Sequence, residues 1–321
     1  MKGKVTAFGE IMMRLAAPDG GTIRGSDNFS VIYGGTEANV LAFLSALGYK
    51  TNYLTALPEG DIGGAVLDHL KKFGIGTSDI VVRGDTLGLY FSENGGESRG
   101  ARVIYYRKNS EFTRLDEHSF DYDRVLCGVS LFHISGISFA LSPSSRALAF
   151  RLMREARSRG VKVSFDFNYR AALGTTERAG EIFREAVKEA DILLASHRDL
   201  ETFLRMDEEE VMQKLPCAYL ILRDRAILAP DRHSVRVSVL ARNGGKYSSS
   251  MFAFPVTERV GGGDAFNGAM LHAIMSGMPL GEATVFAISA FALKHIIKGD
   301  TFTLGEEDIV NYRKVLEECS E

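Results

Sequence analysis

The chain has 321 residues, of which 45% are hydrophobic and 25% are charged, and its formal net charge at pH 7 is −3. That length and apolar content suit one large domain with a buried core, and the balanced charge gives no electrostatic reason to expect a nucleic-acid or anionic-membrane partner. Cys127, Cys217 and Cys319 are too far apart in sequence to predict a disulfide framework or a zinc knuckle.

The N-terminal segment and the hydropathy profile give no targeting or membrane signal. The chain enters a strand-like run at Val5–Phe8 without the basic and apolar regions of a signal peptide. No stretch reaches the roughly 18 apolar residues of a membrane span. We therefore expect a cytoplasmic protein.

Short apolar runs alternate along the chain with segments of helical periodicity. The predicted strands are Val5–Phe8, Asn52–Leu57, Leu131–Ile134, Val161–Phe167, Ile192–Ala195, Tyr219–Leu222 and Met251–Pro255. The predicted helices are Thr36–Leu47, Ile62–Phe73, Pro143–Arg159 and Glu177–Glu189, with further helices after residue 260. This alternation predicts an α/β fold in a single domain over residues 1–321, with a doubly wound, mostly parallel sheet and helices on both faces.

Two stretches, residues 12–33 and 85–107, interrupt the alternation. The second contains two apolar runs, Leu87–Phe91 and Arg102–Tyr106, separated by Glu93-Asn-Gly-Gly-Glu, which is typical of a β-hairpin. We expect the two stretches to form a small β lid over a site. The alternative is an irregular surface hairpin without a role in binding.

Three consecutive glycines, Gly261, Gly262 and Gly263, precede Asp264 where a strand passes into a helix. Glycines at this position let backbone N–H groups converge on an anion at the positive end of the helix dipole. A carboxylate beside a transferring phosphoryl group can accept the proton of an attacking hydroxyl, so Asp264 is a candidate catalytic base. The alternative is a glycine turn in which Asp264 is a simple N-cap. A P-loop and a Gly-x-Gly-x-x-Gly turn after the first strand are both absent from the sequence.

Polar side chains end one predicted strand and line another. Asp166, Asn168 and Arg170 fall at alternating positions and share a side if the strand persists, and the carboxyl ends of parallel strands face the ligand crevice. In the predicted lid, Tyr105 and Arg107 share a strand face, and an arginine fork there suits a carboxylate. The alternative for Arg107 is a solvated strand face.

Two motifs, in this order and spacing, resemble the ribokinase-like carbohydrate kinases of the PfkB family, and within it the 2-keto-3-deoxygluconate kinases. The first is Tyr33-Gly34-Gly35-Thr36-Glu37-Ala38-Asn39-Val40, which follows Phe8-Gly9-Glu10-Ile11, and the second is the run from Gly261 to Asp264. The resemblance covers nearly the whole chain. It implies a ribokinase-like fold with a β lid, and transfer of the γ-phosphoryl group of ATP, with Mg²⁺, to a primary hydroxyl of a sugar acid. The sugar acid expected first is 2-keto-3-deoxygluconate.

The resemblance also implies roles for individual residues. It implies that Asp264 is the base and that the N–H groups of Gly261, Gly262 and Gly263 stabilise the negative charge that develops on the transferring phosphoryl group. It implies that the substrate is bound by Gly34, Gly35, Asn39, Tyr90, Tyr105, Arg107, Arg170 and Asp300. It implies that ATP is contacted by Asn168, Ser196, Arg223, Gly261 and Gly263. No side chain is assigned as a metal ligand.

The chain departs from the family pattern at several positions. Gly262 stands in place of the usual Ala, and Glu258 in place of an Asp six residues before the base. Ser196–Asp199 replaces an Asn-x-x-Glu stretch, and Leu222–Ile227 replaces the nucleotide segment Lys-x-Gly-x-x-Gly. Two alternatives stay open: a kinase for another sugar, of the fructose or ribose type, and a non-catalytic sugar or nucleotide sensor, which the altered segments Ser196–Asp199 and Arg223–Ile227 motivate. Exposed strand edges in a lid also predict a homo-oligomer formed through the lid.

Overall fold

A computed structural model describes residues 2–93 and 102–318 of the chain. Its strands are β1 (Lys4–Phe8), β2 (Met12–Ala16), β3 (Ser30–Gly34), β4 (Lys50–Leu54), β5 (Ala56–Leu57), β6 (Val81–Val82), β7 (Leu89–Glu93), β8 (Arg102–Tyr106), β9 (Val129–Ser135), β10 (Lys162–Asp166), β11 (Ile192–Ala195), β12 (Tyr219–Ala229), β13 (Arg232–Ala241), β14 (Lys246–Ser248) and β15 (Phe252–Pro255). Its α-helices are α1 (Thr36–Ala46), α2 (Gly60–Lys72), α3 (Tyr122–Leu126), α4 (Gly136–Ala140), α5 (Pro143–Ser158), α6 (Thr176–Ala186), α7 (His197–Asp199), α8 (Glu208–Lys214), α9 (Gly262–Met275), α10 (Leu280–Lys294) and α11 (Glu306–Glu318).

Among the described residues, nine strands form the main sheet, in the order β14-β13-β12-β11-β10-β9-β1-β4, with β15 beside β13. The pairings from β4 through β1, β9, β10 and β11 to β12 are parallel, and those of β13 with β12, β14 and β15 are antiparallel. Because β1 lies between β4 and β9, the winding direction reverses next to β1. Open α/β sheets bind ligands at the carboxyl ends of the strands beside such a reversal.

Side chains alternate between two buried clusters, one on each face of this sheet. Ile192 and Leu194 belong to a cluster that contains α1, α9 and α10, whereas Leu193 between them belongs to one that contains α5 and α6. Period-two alternation on a strand covered on both sides produces this arrangement. The predicted doubly wound α/β fold with helices on both faces is confirmed.

A second sheet has the order β3-β2-β7-β8, with β2 and β7 parallel and the outer pairs antiparallel. Its strands come from the two stretches that interrupt the alternation. β7 and β8 pair from Leu89↔Tyr106 to Glu93↔Arg102, and the predicted turn at residues 94–97 lies outside the described residues. The use of this sheet as a lid stays a prediction.

Several predicted boundaries differ from the structure. The strand predicted over Asn52–Leu57 is divided between β4 and β5, because Thr55 leaves the main ladder and its carbonyl accepts from Val81 N at 3.0 Å. β12 continues to Ala229, seven residues past the predicted end, because it pairs with β13, which the sequence analysis did not predict. The helix predicted over Glu177–Glu189 is α6 followed by a 3₁₀ turn.

Two of the three cysteines lie within the described residues. Cys127 is exposed and Cys217 is buried, and both are free thiols. Cys319 lies outside the described residues. None of the helices in the described part of the chain combines the length and apolarity needed to cross a membrane.

Candidate active site

The glycine run forms the N-terminus of α9. Gly261 is the N-cap residue, with φ 81° and ψ −10°, and a Cβ on it would overlap the carbonyl oxygen of Asp300. A side chain at this position would therefore meet both backbone strain and a steric clash. The N–H groups of the first helical turn, from Gly262 to Asp264, have no partner within the helix and point out of its end. They are the donors that an anion site needs.

The Asp264 carboxylate faces α1. It accepts hydrogen bonds from Thr36 Oγ1 and, at 2.7 Å, from Asn39 Nδ2. No side chain caps α9, and its N-cap residue is Gly261. The alternative interpretation of Asp264 as a simple N-cap is therefore wrong. The carboxylate is fixed by side chains from the first predicted motif and lies beside the free N–H groups of its own helix.

The polar cluster after β10 does not keep strand geometry. β10 ends at Asp166, whose Oδ1 accepts from Asn168 N at 3.2 Å, and Asn168 has φ 39°. An Asp side chain that bonds two residues ahead forms such a turn. The predicted common side of Asp166, Asn168 and Arg170 is thus wrong. Asn168 Nδ2 donates to Thr36 Oγ1 at 2.9 Å, so this residue still reaches the base through Thr36.

Arg170 is exposed, in contrast to the neighbours described above. Its Nη1 donates to the carbonyl oxygens of Asn168 at 3.3 Å and Tyr169 at 3.1 Å. Within the described part of the chain it forms no ion pair with a carboxylate. Its charge is therefore free to meet an anion in a cavity that it lines together with Asn168 and Tyr169.

The segment Leu222–Ile227, which no sequence motif explains, lies within β12 and brings Arg223 to the glycine run. Arg223 Nη1 donates to the Gly263 carbonyl at 3.1 Å. The guanidinium carbon is 4.8 Å from the ring centroid of Phe266 and 5.1 Å from that of Phe291. Stacking of this kind holds a guanidinium in one orientation.

Arg223 also interacts electrostatically with two carboxylates, the buried Asp166 and the half-buried Asp264. Burial raises the pKa of Asp166 to about 6, and the charge of Arg223 opposes that rise while Asp264 adds to it. Asn267 Nδ2 donates to Asp166 Oδ2 at 2.7 Å. Burial lowers the pKa of Arg223, and Asp166 and Asp264 oppose that change. The site thus combines a fixed cation with two carboxylates close to the N-terminus of α9.

Ser196 is the N-cap of α7 and forms a capping box with Asp199. Asp199 Oδ2 accepts from Ser196 N at 2.8 Å and from Ser196 Oγ at 2.7 Å. The next residue, His197, hydrogen-bonds through Nδ1 to Asp224. The Ser196 hydroxyl is therefore engaged within its own turn, and its predicted contact with ATP stays a prediction.

The second sheet meets the main body at Asp300. Arg14 on β2 is 3% exposed, and its Nη2 lies 3.0 Å from Asp300 Oδ1 and 3.3 Å from Glu258 Oε2. Tyr90 OH donates to Asp300 Oδ2 at 3.3 Å, and the Tyr90 and Tyr105 rings are 5.5 Å apart between centroids. Burial raises the pKa of Asp300 to about 6, although Arg14 opposes the rise. Sequence reasoning missed Arg14, which no motif distinguished from a surface arginine.

Gly34 belongs to the same group of residues as Asp300. A Cβ on Gly34 would overlap the Asp300 carboxylate, and one on Gly35 would overlap the carbonyl of Glu10. The glycine pair thus lets two other segments approach α1 closely. The structure therefore gathers Gly34, Tyr90, Tyr105 and Asp300, all predicted to bind substrate, at one place.

Arg107 has a different environment from the one predicted. Its Nε donates to Glu10 Oε2 at 2.7 Å, and its Nη2 reaches the same oxygen. Ser110 Oγ donates to Glu10 Oε1. The carboxylate that faces the Arg107 guanidinium in this structure is thus Glu10 of the chain itself. A contact between Arg107 and a sugar acid stays a prediction.

Glu37 was not singled out by the sequence analysis. Its Oε1 accepts from Ser135 N at 3.0 Å, Ser135 Oγ at 2.6 Å and Ser138 Oγ at 3.3 Å. A Cβ on Gly9 would overlap its carboxylate, which places it between the ends of β1 and β9. Burial raises the pKa of Glu37 to about 7. A carboxylate within an otherwise apolar helix segment is the signal that would have marked it.

The residues at the N-terminus of α9 fit a nucleotide phosphate. The free N–H groups after Gly261, the close backbone approach that its missing side chain permits and the nearby Arg223 all favour an anion. Across residues 2–93 and 102–318, no three His, Cys, Asp or Glu side chains are grouped so that they could hold a metal ion.

Comparison with known proteins gives the family. A 2-dehydro-3-deoxygalactonokinase of Haloferax volcanii is 29% identical over 315 residues, which is 96% of each chain. The crystal structure of 2-dehydro-3-deoxygluconokinase from Thermotoga maritima superposes with a TM-score of 0.93 at 34% identity, over 97% of this chain and 99% of that one. Fructokinase with bound ATP from Xylella fastidiosa shares the fold, with a TM-score of 0.82 at 21% identity over the full length of both chains. The family profile described as pfkB family carbohydrate kinase matches residues 2–296, and the chain belongs to that family.

Proposed function

We propose that this chain phosphorylates a primary hydroxyl group of a 2-keto-3-deoxy sugar acid with ATP, and that 2-keto-3-deoxygluconate is its substrate. The observation that carries the proposal is the position of Asp264. Its carboxylate lies beside the free N–H groups of α9 and is joined by Asn39 to the helix that follows Gly34 and Gly35. A base, an anion site and a substrate motif thus meet at one point.

The geometry supports in-line phosphoryl transfer. Asp264 accepts the proton of the attacking hydroxyl, while Thr36 and Asn39 hold the carboxylate in one orientation. The N–H groups of Gly262 and Gly263 stabilise negative charge on the transferring group, with help from the helix dipole. ATP supplies the phosphoryl group, and the Mg²⁺ that accompanies it would be bound through phosphate oxygens and water.

Two arguments support a sugar acid as the acceptor. The relatives named above include kinases whose names specify 2-dehydro-3-deoxy sugar acids. In addition, the exposed guanidinium of Arg170 has no carboxylate partner among the described residues. It lies two residues after Asn168, whose side chain is linked to Asp264 through Thr36. Arg107 is already paired with Glu10 of the chain itself. We therefore propose Arg170, rather than Arg107, as the residue that binds the carboxylate of the sugar acid.

The test is a phosphorylation panel with ADP release as the measurement. We expect kcat/KM for 2-keto-3-deoxygluconate to exceed that for fructose and ribose by more than tenfold. The panel also includes 2-keto-3-deoxygalactonate and 5-dehydro-2-deoxygluconate, because relatives of this chain are named as kinases of these two acids. A preference for fructose or ribose would favour a neutral-sugar kinase, and no turnover with any acceptor would favour a sensor.

We also propose a cytoplasmic homo-oligomer that forms through the second sheet. β3 and β8 are its outer strands, and Val31, Val103 and Tyr106 on them are 54%, 42% and 62% exposed. Apolar side chains on open strand edges favour pairing with another copy. Light scattering would measure the mass, and Tyr106→Asp should lower it toward that of one chain.

A further inference from the structure

The ammonium group of Lys294 is enclosed at the end of α10. The residue is 0% exposed, and its Nζ donates to the carbonyl oxygens of Ile297 at 2.9 Å and Gly299 at 2.6 Å. Lysine is almost never fully buried unless it is paired with a carboxylate. Here the hydrogen-bond partners are neutral carbonyls, and no carboxylate among the described residues lies within ion-pair distance of it.

The Lys294 side chain packs against the first glycine of the glycine run. Its Cε is 3.0 Å from the point that a Cβ on Gly261 would occupy. The carbonyls that it binds belong to the turn that leads into Asp300, and the Asp300 carbonyl packs against Gly261. The lysine side chain therefore contacts both the turn that leads into Asp300 and the N-terminus of α9.

The residue after Lys294 holds the segment that leads from β15 into the glycine run. The His295 carbonyl accepts from Thr257 N at 2.8 Å and from Glu258 N at 2.9 Å, and these residues lead from β15 to Gly261. The end of α10 thus holds both the segment before the glycine run and the turn packed against it. Lys294 contributes a buried positive charge to this junction.

The charge of the lysine is matched to its surroundings. Burial lowers the pKa of Lys294, while Glu258, Asp300 and Asp264 oppose that change. Backbone carbonyl oxygens in a fixed turn can replace the hydration shell of a monovalent metal ion. Two backbone carbonyls that bind the group, with the negative charges of three carboxylates acting on it from farther away, form an environment for one positive charge, and the chain supplies that charge covalently.

We propose that Lys294 is a positioning residue whose tethered ammonium does the work of a bound monovalent cation, so that phosphoryl transfer needs no added K⁺ or NH₄⁺. The part of this proposal that concerns turnover rests on the proposed kinase function. The part that concerns cation binding does not, because it is measured without turnover.

The first measurement compares wild type with Lys294→Ala in KCl and in tetramethylammonium chloride at equal ionic strength. We expect wild-type kcat to change less than twofold between the salts. In Lys294→Ala we expect kcat to fall about 100-fold in tetramethylammonium, because a displaced turn misplaces the acceptor and the base. Replacing tetramethylammonium chloride by KCl, NH₄Cl or methylammonium chloride should then raise the kcat of Lys294→Ala at least tenfold.

Lys298→Ala is the matched control. Lys298 lies in the same turn but is exposed, and its Nζ reaches Asp19 at 3.1 Å. Its removal should leave kcat and the salt response unchanged. Lys294→Gln keeps a long polar side chain without charge and serves if the alanine variant folds poorly. We expect the glutamine variant to lose kcat with little change in KM for ATP.

The second measurement is thermal unfolding without substrates. KCl should raise the Tm of Lys294→Ala relative to tetramethylammonium chloride and should not raise that of wild type or Lys298→Ala. A wild-type enzyme that depends on K⁺ more than tenfold, or a Lys294→Ala variant unaffected by every small cation in both measurements, would overturn the proposal. Absence of wild-type turnover with every sugar, together with a K⁺-dependent Tm in Lys294→Ala, would reject the kinase function and keep the cation substitution.

Discussion

Asn39 Nδ2 donates to Asp264 Oδ2 at 2.7 Å, although the two residues are 225 positions apart in the sequence. The bond joins the first turn of α1 to the first turn of α9. Asn39 thus orients the proposed base, together with Thr36, and its predicted contact with substrate stays a prediction. Correct placement of the carboxylate therefore depends on the packing of two helices from opposite ends of the chain.

Replacement of Asp264 by Asn should abolish turnover and leave ATP binding intact. The amide keeps the size of the side chain and an acceptor for Asn39, but it cannot take a proton at neutral pH. Loss of a general base lowers kcat by about 10²- to 10⁴-fold. Steady-state kinetics would measure kcat, and calorimetry would measure the Kd for ATP.

Asp308→Asn is the matched control for Asp264→Asn. Asp308 also lies in the first turn of a helix, where its Oδ2 accepts from Gly305 N at 2.8 Å. Its replacement removes the same charge from a helix start outside the site and should leave kcat unchanged. If Asp264→Asn retained more than a tenth of wild-type kcat, Asp264 would not be the base.

Replacement of Gly261 by Ala should remove activity more completely than strain alone explains. Gly261 and Gly277 both have positive φ, 81° and 70° respectively, so Ala at either position costs about 1 kcal/mol of backbone strain. A Cβ on Gly261 would in addition overlap the Asp300 carbonyl, whereas one on Gly277 has nothing within 4 Å.

The comparison of these two alanine variants isolates the close approach of Asp300. Gly277→Ala should lower the unfolding free energy by about 1 kcal/mol and keep wild-type kcat. Gly261→Ala should lower kcat by at least 100-fold, since the anion-binding turn must move. Equal kcat values for both variants would show that the turn tolerates displacement and is not part of the machinery.

The main effect of replacing Arg107 should be a lower free energy of unfolding rather than a change in substrate preference. Arg107 is 7% exposed and its fork is engaged by Glu10, so Arg107→Ala leaves a buried carboxylate without its partner. Breaking a buried ion pair in this way costs about 3 to 5 kcal/mol. Urea unfolding would measure the loss.

A double variant tests the origin of that loss. Glu10→Gln combined with Arg107→Met removes both charges and should recover more than half of the stability lost in Arg107→Ala. Kinetics on both variants would then report on substrate binding. A rise in KM for the sugar acid at preserved stability would restore Arg107 as a substrate ligand.

The parts of the site that depend on local sequence were predictable, and those that depend on distant partners were not. Consecutive glycines before a helix predict the turn at Gly261, because few other residues permit that backbone conformation. Nothing local distinguishes Arg14 or Lys294 from surface residues, since their burial follows from contacts made by the second sheet and by the turn into Asp300. Strand alternation failed at Asn168, because the Asp166 carboxylate closes a turn with its backbone.

The pH dependence of stability should change when Glu37 is replaced by Gln. Burial raises the pKa of Glu37 to about 7 from its usual value of 4.5, so the native state keeps this proton at a pH where the unfolded chain has lost it. The contribution of the group to stability is therefore present below pH 4.5 and declines as the pH rises toward 7. Between pH 5 and pH 8 wild type should lose about 2 to 3 kcal/mol that Glu37→Gln does not lose.

Urea unfolding of wild type and Glu37→Gln at both pH values measures this difference, and any constant effect of the amide cancels between them. Glu282→Gln is the control, because Glu282 also lies in the first turn of a helix but is exposed. It should follow the wild-type profile. Parallel profiles for wild type and Glu37→Gln would show that Glu37 is ionised in the folded protein at neutral pH, and that its three hydrogen bonds from Ser135 and Ser138 outweigh the effect of burial.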